Sequence, residues 1–408
     1  MTAPARLEAR FGAKNYAPLP VTIVRGEGVH LWDDRGRRYL DMMGAYSAVS
    51  FGHCHPRLVR ALTEQARTLD TISRAFSSDR LGPFLARACG LTGMDAALPM
   101  NSGAEAVETA LKAARKWAYK VKGVALDSAE IIAAEGNFHG RTIAVTGLSS
   151  VVQYRDGFGP FLPGTKLVPF GDAAALEAAI TENTAAFLVE PIQGEGGIVV
   201  PPPGYLREVE RICRRHNVLL VCDEVQTGLG RTGRLLACEH EGVRPDAVTL
   251  GKALGGGLLP VSLFLARREV MDVFAPGDHG STFGGNPIAA AVGLAALDTL
   301  IDEGLIERSA ELGAYLLDRL HGIDSPAIRE VRGRGLFAGI EFDPDRARAD
   351  HVVRGLLDEG ILTKETHRNT VRMAPPFVIT TAQIDEAVAG LEAVLDGTVR
   401  TPRRVAAK

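Results

Sequence analysis

Two acids, a lysine and two small glycine-rich cups stand out in this chain for the chemistry their spacing allows. Asp223 and Glu224 close the apolar run VLLVCDE (218–224). A carboxylate at the end of a buried strand needs a partner, because burying a lone charge is costly. A loop cap is one use for Asp223, and a protonated ring nitrogen is another. Lys252 falls near the end of the next apolar run, DAVTLGKAL (246–254), and Gly255, Gly256 and Gly257 follow it. A lysine that forms a Schiff base has to lie in a partly desolvated cleft, and three glycines let backbone come close to it. Ser102-x-x-Glu105, in PMNSGAEAVETALK, is a capping box that opens a helix. Gly103 beside the cap admits an anion close to the backbone, and the free N–H groups of a first turn favour phosphate. HGSTFGGNP (279–287), with Ser281 and Thr282, offers a second anion cup. Taken singly, each has an ordinary structural reading: a loop cap, a surface lysine, a capped helix.

Two other motifs compete. Gly228-x-Gly230-x-x-Gly233 fits the dinucleotide fingerprint. That site needs a long helix straight after its last glycine and an acid about 20 residues on. Here RLLACEHEGVRPDAV has no sustained helical period and soon reaches Pro245, so a dehydrogenase is set aside. His53-Cys54-His55 looks metal-like. Adjacent side chains on an extended segment point to opposite faces, and no second ligand pair sits at zinc spacing, so no metal is expected. The remaining parts together describe a pyridoxal phosphate site: a helix cup for the phosphate, a carboxylate for the ring nitrogen, and a lysine for the aldehyde.

Those residues have to be positioned by a sheet. Apolar runs at AEIIAAEGNF (129–138), AAFLVEP (185–191), VLLVCDE, DAVTLGKAL and PVSLFLA (260–266) alternate with helical patterns such as GYLREVERICRRHN (204–217). Uninterrupted apolar strands between helices imply an α/β fold with a mostly parallel sheet covered on both faces. Ligands of such sheets bind at the carboxyl ends of the strands, where Asp223 and Lys252 fall. After about residue 295 the texture changes. The segment GLAALDTLIDEGLIERSAELGAYLLDRLHG reads as one long helical stretch. Strand-like pieces follow at 329–342 and 369–379, then a last amphipathic helix, TAQIDEAVAGLEAVL. This gives a smaller α+β domain, with which the strand-like GVHLWDDRGRRYLDM (28–42) can pair. The expected division is 1–50 as an N-terminal segment joining the small domain, 51–295 as the large cofactor-binding domain, and 296–408 as the C-terminal small domain. The last residues, TPRRVAAK, read as a frayed end.

Composition narrows the functions. Lys plus Arg number 46 against 49 Asp plus Glu among 408 residues, a net charge of −3. That balance gives no electrostatic reason to expect nucleic acid or an acidic membrane surface. No apolar run is long enough to span a bilayer, and the N-terminal residues lack the apolar core of a signal peptide. Five cysteines without a C-x-x-C pair suit reduced thiols in a cytosol.

At these residues the chain resembles the class III aminotransferases of the aspartate-aminotransferase fold (fold type I). The resemblance runs over nearly the whole chain and is carried by NSGAEAVETALK, GNFHGRT, EPIQGEGG, DEVQTGLGRTG, GKALGGG and HGSTFGGNP. AYSAVSFGHCHP (45–56), SRAF (73–76) and RMAPP (372–376) narrow it to the ornithine aminotransferase branch. The resemblance implies a pyridoxal phosphate enzyme with Lys252 as the Schiff-base lysine and Asp223 at the pyridine nitrogen. Phe138 and Val225 would sandwich the ring, with His139 beside it, and Gln226 would reach its phenolic oxygen. Ser102, Gly103 and Ala104 fall on the phosphate cup. Ser281 and Thr282 match a loop that reaches the phosphate from a partner subunit, which implies a homodimer with shared active sites. Tyr46 and Arg141 would hold the carboxylate of ornithine far from the ring. Arg372 matches an arginine that captures an α-carboxylate near the ring, and Glu195 its masking carboxylate. The implied reaction is δ-transamination of ornithine with a 2-oxo acid. Its alternatives are N-acetylornithine or 4-aminobutyrate transamination, and racemisation, for which no second base is evident. Ser77, where vertebrate-type members carry a tyrosine, opens the distal pocket to a longer or acylated substrate.

Overall fold

The computed structural model describes residues 2–400, so the expectation for residues 401–408 lies outside the described residues. Its centre is a seven-stranded sheet in the order Ala96–Met100, Ser262–Ala266, Ala247–Leu250, Leu219–Asp223, Thr184–Val189, Glu130–Ala134, Thr165–Val168. Ser262–Ala266 runs antiparallel to both its neighbours, and the other four junctions are parallel. The α/β architecture expected from the apolar runs is the one found. Every residue of Thr184–Val189, Leu219–Asp223, Ala247–Leu250 and Ser262–Ala266 is buried, as strands covered on both faces must be. Alternate side chains feed two cores. Phe187, Leu220, Cys222 and Val248 enter one, and Leu188, Leu219, Val221 and Ala247 the other.

The two strands that the apolar runs leave out, Ala96–Met100 and Thr165–Val168, are the edges of this sheet. Edge strands are less covered, and each of these two has three residues that are only half-buried. Pro99 is tolerated there because one side of an edge strand has no ladder to complete.

The remaining strands form two smaller sheets. Arg38–Asp41 pairs with His30–Asp33 on one side and, in parallel, with Ile361–Leu362 on the other, so chain from near the start meets chain from near the end. A four-stranded antiparallel sheet has the order Ile328–Gly333, Ala338–Phe342, Thr370–Met373, Glu365–Thr366. Two details correct the sequence reading. The long helical stretch is two helices, Pro287–Asp302 and Leu305–His321, broken where Gly304 turns left-handed at φ +60°. The strand-like 329–342 is a hairpin of two strands.

The glycine motif at 228–233 has a structural task. Arg231 within it is completely buried and lies over the Phe377 ring at 4.6 Å. It donates to the Leu336 carbonyl (2.9 Å), the Pro375 carbonyl (2.7 Å) and the Ser50 hydroxyl (2.7 Å). Among the described residues no carboxylate is bonded to it, and burial pushes its pKa down to about 9. The loop thus pins three distant parts of the chain together. Gly335 makes this possible: its φ is +56°, and a Cβ there would lie 2.4 Å from the backbone carbon of Thr232. Backbone cannot yield as a flexible side chain does. Gly335→Ala should therefore destabilise the protein by about 1–3 kcal/mol and lower its thermal midpoint. An unchanged midpoint would show that the junction gives way freely.

Candidate active site

Asp223 is the last residue of its strand and 5% exposed. Its Oδ1 accepts from the Thr249 hydroxyl (2.9 Å) and the Val225 N–H (3.1 Å), and its Oδ2 meets His139 Nδ1 at 2.7 Å. Burial opposes charge on both partners of that last bond. The pairing outweighs it, holding Asp223 below the usual carboxylate range and raising His139 above the usual imidazole value. The bond thus favours the carboxylate form of Asp223 and draws a proton toward His139. An oxygen with one donor can take another, so Oδ2 keeps room for a ring N–H. The adjacent Glu224 turns elsewhere: it accepts from the Thr227 hydroxyl and from the Cys238 N–H (2.9 Å), capping its own loop.

Lys252 follows the strand Ala247–Leu250 with a left-handed φ of +44°, a conformation that costs a non-glycine residue on the order of 1–3 kcal/mol. Burial lowers its pKa, and the charges of Glu195, Asp223 and Glu190 pull the other way. Val225 packs against Gly103, where a Cβ would lie 2.7 Å from Val225 Cγ1, so the loop after Asp223 sits directly on the helix Gly103–Trp117. That helix opens with the expected capping box. The Ser102 hydroxyl accepts from the Glu105 N–H (3.2 Å), and the Glu105 carboxylate accepts from the Ser102 N–H (2.7 Å). The first-turn N–H groups of Gly103 and Ala104 are left without intrahelical acceptors. The Ser281 hydroxyl accepts from Asn101 Nδ2 of its own chain at 2.8 Å, and Thr282 is exposed.

The residues expected to face the substrate are positioned by other elements. Arg372, on the strand Thr370–Met373 and 1% exposed, makes a bidentate pair with Glu195 at 2.7 and 2.8 Å. Burial works against the Glu195 charge, and Arg372 overcomes it and holds the carboxyl below its usual range. Tyr46 lies under the Arg372 guanidinium at 4.9 Å. It sits in a left-handed turn in which Gly44, Ala45, Tyr46 and Ser47 all have positive φ. Such backbone costs side-chain-bearing residues roughly 1–2 kcal/mol each, and strain of this kind gathers at functional sites. Gln226 Nε2 reaches the Tyr46 carbonyl at 3.5 Å. Arg141 stands further out, 5.1 Å from the Phe138 ring centroid. Ser77 is exposed.

One buried acid escapes the sequence reading. Glu190 is 5% exposed, accepts from the N–H groups of Phe138 (2.8 Å) and Gly194 (3.1 Å), and is pushed up to about 7 by burial. It directly follows the strand Thr184–Val189, next to Asp223's strand in the sheet, so the signal that marks Asp223 also marks Glu190.

A family model described as aminotransferase class-III matches residues 11–395. The chain belongs to the class-III aminotransferases. It is 54% identical to an ornithine aminotransferase of Geobacillus sp. (strain WCH70), over 96% of this chain and 98% of that one. It superposes with a TM-score of 0.93 on a Toxoplasma gondii ornithine aminotransferase structure described as having partial occupancy of PLP at its active site. The two are 46% identical, with 97% of this chain and 94% of that chain covered. An acetylornithine aminotransferase structure from Elizabethkingia anophelis is also 46% identical, with a TM-score of 0.87 and coverage of 96% and 98%. For a class-III aminotransferase, Asp223→Asn should keep the fold and lower turnover by on the order of 10²–10³-fold. Circular dichroism and initial rates check this, and wild-type-like turnover would remove Asp223 from the ring.

Proposed function

We propose that this aminotransferase is a pyridoxal-phosphate-dependent ornithine aminotransferase. It would convert L-ornithine and 2-oxoglutarate to L-glutamate 5-semialdehyde and L-glutamate. The observation that carries the reading is the bidentate Glu195–Arg372 pair. An unmasked arginine beside Lys252 would capture the α-carboxylate of any amino acid and present its α-amine. Neutralised by Glu195, Arg372 leaves ornithine to anchor its carboxylate at Tyr46 and Arg141, and the δ-amine then faces Lys252. For 2-oxoglutarate, Glu195 releases Arg372, which takes the α-carboxylate, and Arg141 takes the distal one.

Pyridoxal phosphate, when bound, supplies the aldehyde that takes up the amino group and the electron-poor ring that stabilises a carbanion. Ser102, Gly103 and Ala104 would hold its phosphate, with Ser281 and Thr282 added across a dimer interface. Phe138 and Val225 would flank the ring, and Gln226 would reach its oxygen. Asp223 would hold the ring nitrogen protonated, and His139 keeps Asp223 charged. Lys252 Nζ would carry the covalent link and move the proton from the substrate's δ carbon.

Exposed Phe76 (66%) and Phe283 (56%) support a homodimer. They lie on adjoining loops, since a Cβ on Gly285 would be 3.2 Å from Arg74 Nη1. The boundaries near residues 50 and 295 and a cytoplasmic location belong to the same reading; five free cysteines suit the latter. The alternative donors are N-acetylornithine and 4-aminobutyrate. Exposed Ser77 and the acetylornithine aminotransferase likeness favour keeping the first in the test. With 2-oxoglutarate as acceptor, ornithine should surpass both by about tenfold or more in kcat/KM and yield the semialdehyde. Faster reaction with N-acetylornithine would reassign the substrate.

A further inference from the structure

Among the described residues Arg141 has neither an ion-pair nor a hydrogen-bond partner; two aromatic rings hold it. Its guanidinium carbon lies 3.8 Å from the centroid of Tyr154 and 5.1 Å from that of Phe138. The two rings meet edge to face, with centroids 6.0 Å apart. Stacking of this kind fixes the guanidinium plane and leaves its N–H donors free for a carboxylate.

Tyr154 is itself held. It lies on the short helix Val152–Arg155, and its hydroxyl is 2.9 Å from His367 Nε2, with the imidazole ring edge-on to it at 5.8 Å. His367 belongs to the turn between the strands Glu365–Thr366 and Thr370–Met373, a turn in which Arg368 and Asn369 both have positive φ. The neighbouring Thr366 donates its hydroxyl to the Glu195 carbonyl at 2.6 Å, and Arg372 is on the second strand of the same hairpin. One hairpin thus pins the backbone of Glu195, carries Arg372, and reaches across to the ring on which Arg141 lies.

We propose that Tyr154, fixed by His367, is a positioning residue for Arg141 and so sets recognition of the carboxylate at the far end of the substrate. Both the diamino acid donor and the dicarboxylic acceptor depend on it. The proposal rests on the role given above to Arg141. The hairpin keeps the two carboxylate-binding arginines at a fixed spacing, because one is built on it and the other is steadied from it. A substrate is then measured by the distance between its reacting carbon and its distal carboxylate. Without the ring, Arg141 on its exposed loop spreads over many rotamers, and binding the far carboxylate costs the entropy of ordering it.

The test compares steady-state constants for 2-oxoglutarate and pyruvate, each at saturating ornithine, and for ornithine itself. Pyruvate has no distal carboxylate. Tyr154→Leu should raise KM for ornithine and 2-oxoglutarate by about 3- to 30-fold. Its kcat and its KM for pyruvate should stay within about twofold of wild type. Tyr154→Phe retains the ring and loses the His367 bond, so its KM shift should be smaller. His367→Ala should match it, and the double variant should be no worse than either single one. A uniform loss with all three substrates would reduce Tyr154 to a structural role and overturn the proposal. Unchanged KM values in Tyr154→Leu would overturn it too. Arg141→Leu separates the two levels. If it raises KM while Tyr154→Leu does not, the reading of Arg141 stands and this proposal fails. If Arg141→Leu moves no KM, both fail together.

Discussion

Glu195 meets Arg372 through two parallel N–H···O bonds, and the rest of the substrate side is arranged to bring these partners, 177 residues apart, into one water-poor place. Removing one member of a buried pair costs more than the pair contributes, about 3–5 kcal/mol, because the other charge is stranded. If Glu195 is the gate proposed above, the fold has to hold both backbones firmly and leave one side chain able to move. Thr366 fixes Glu195 through its carbonyl, and the ladder between Thr370–Met373 and Ala338–Phe342 fixes Arg372. Arg332 binds the loop to the small sheet. It donates to the Gly197 carbonyl at 2.7 Å and the Ile198 carbonyl at 3.2 Å, and it pairs with Glu341 at 2.7 Å. Glu195 itself is the less buried partner, with 19% of its side chain exposed against 1% for Arg372. It is the one with room to turn.

A second set of buried charges lies beneath. Lys252 stands near Asp223 and Glu190, and His139 is bonded to Asp223. Glu190, pushed up to about 7, is the member nearest to neutrality. It steadies Phe138 through a backbone bond without adding a full negative charge beside Asp223. Burial lowers the pKa of Lys252 against the pull of Glu195, Asp223 and Glu190, and so favours its neutral form relative to a free lysine. Catalytic groups of complementary sign in a low-dielectric cleft gain strength from the missing water.

The sheet and the strand-end residues were legible because both follow from local pattern. An apolar run long enough for a covered strand, ended by an acid or a lysine, places that residue at the mouth of an α/β sheet. The same reasoning passed over Glu190, because Pro191 follows it and the glycines after it, Gly194, Gly196 and Gly197, drew attention to Glu195 instead. Long-range pairings were not legible. The bond from His139 to Asp223 spans 84 residues, and that from Tyr154 to His367 spans 213. Nothing in the local sequence of either partner names the other. The glycines at 228–233 show how one spacing serves two ends. In a dinucleotide site they admit a phosphate, and here the same loop carries a buried arginine to three acceptors. The broken helix at Gly304 was missed because apolar periodicity continues through the break.

The most direct test of the gate compares the pyridoxal form of the wild type with Glu195→Ala in single half-reactions with glutamate and with ornithine, followed by absorbance. With the carboxylate gone, Arg372 is an unpaired buried cation and takes the α-carboxylate of whatever amino acid enters. A charge-assisted pair is worth roughly 1.5–3 kcal/mol, so the glutamate-to-ornithine rate ratio should rise about tenfold or more, and ornithine should lose its δ-regiospecificity. The same ratio in both proteins would contradict the account and leave Glu195 a structural partner of Arg372.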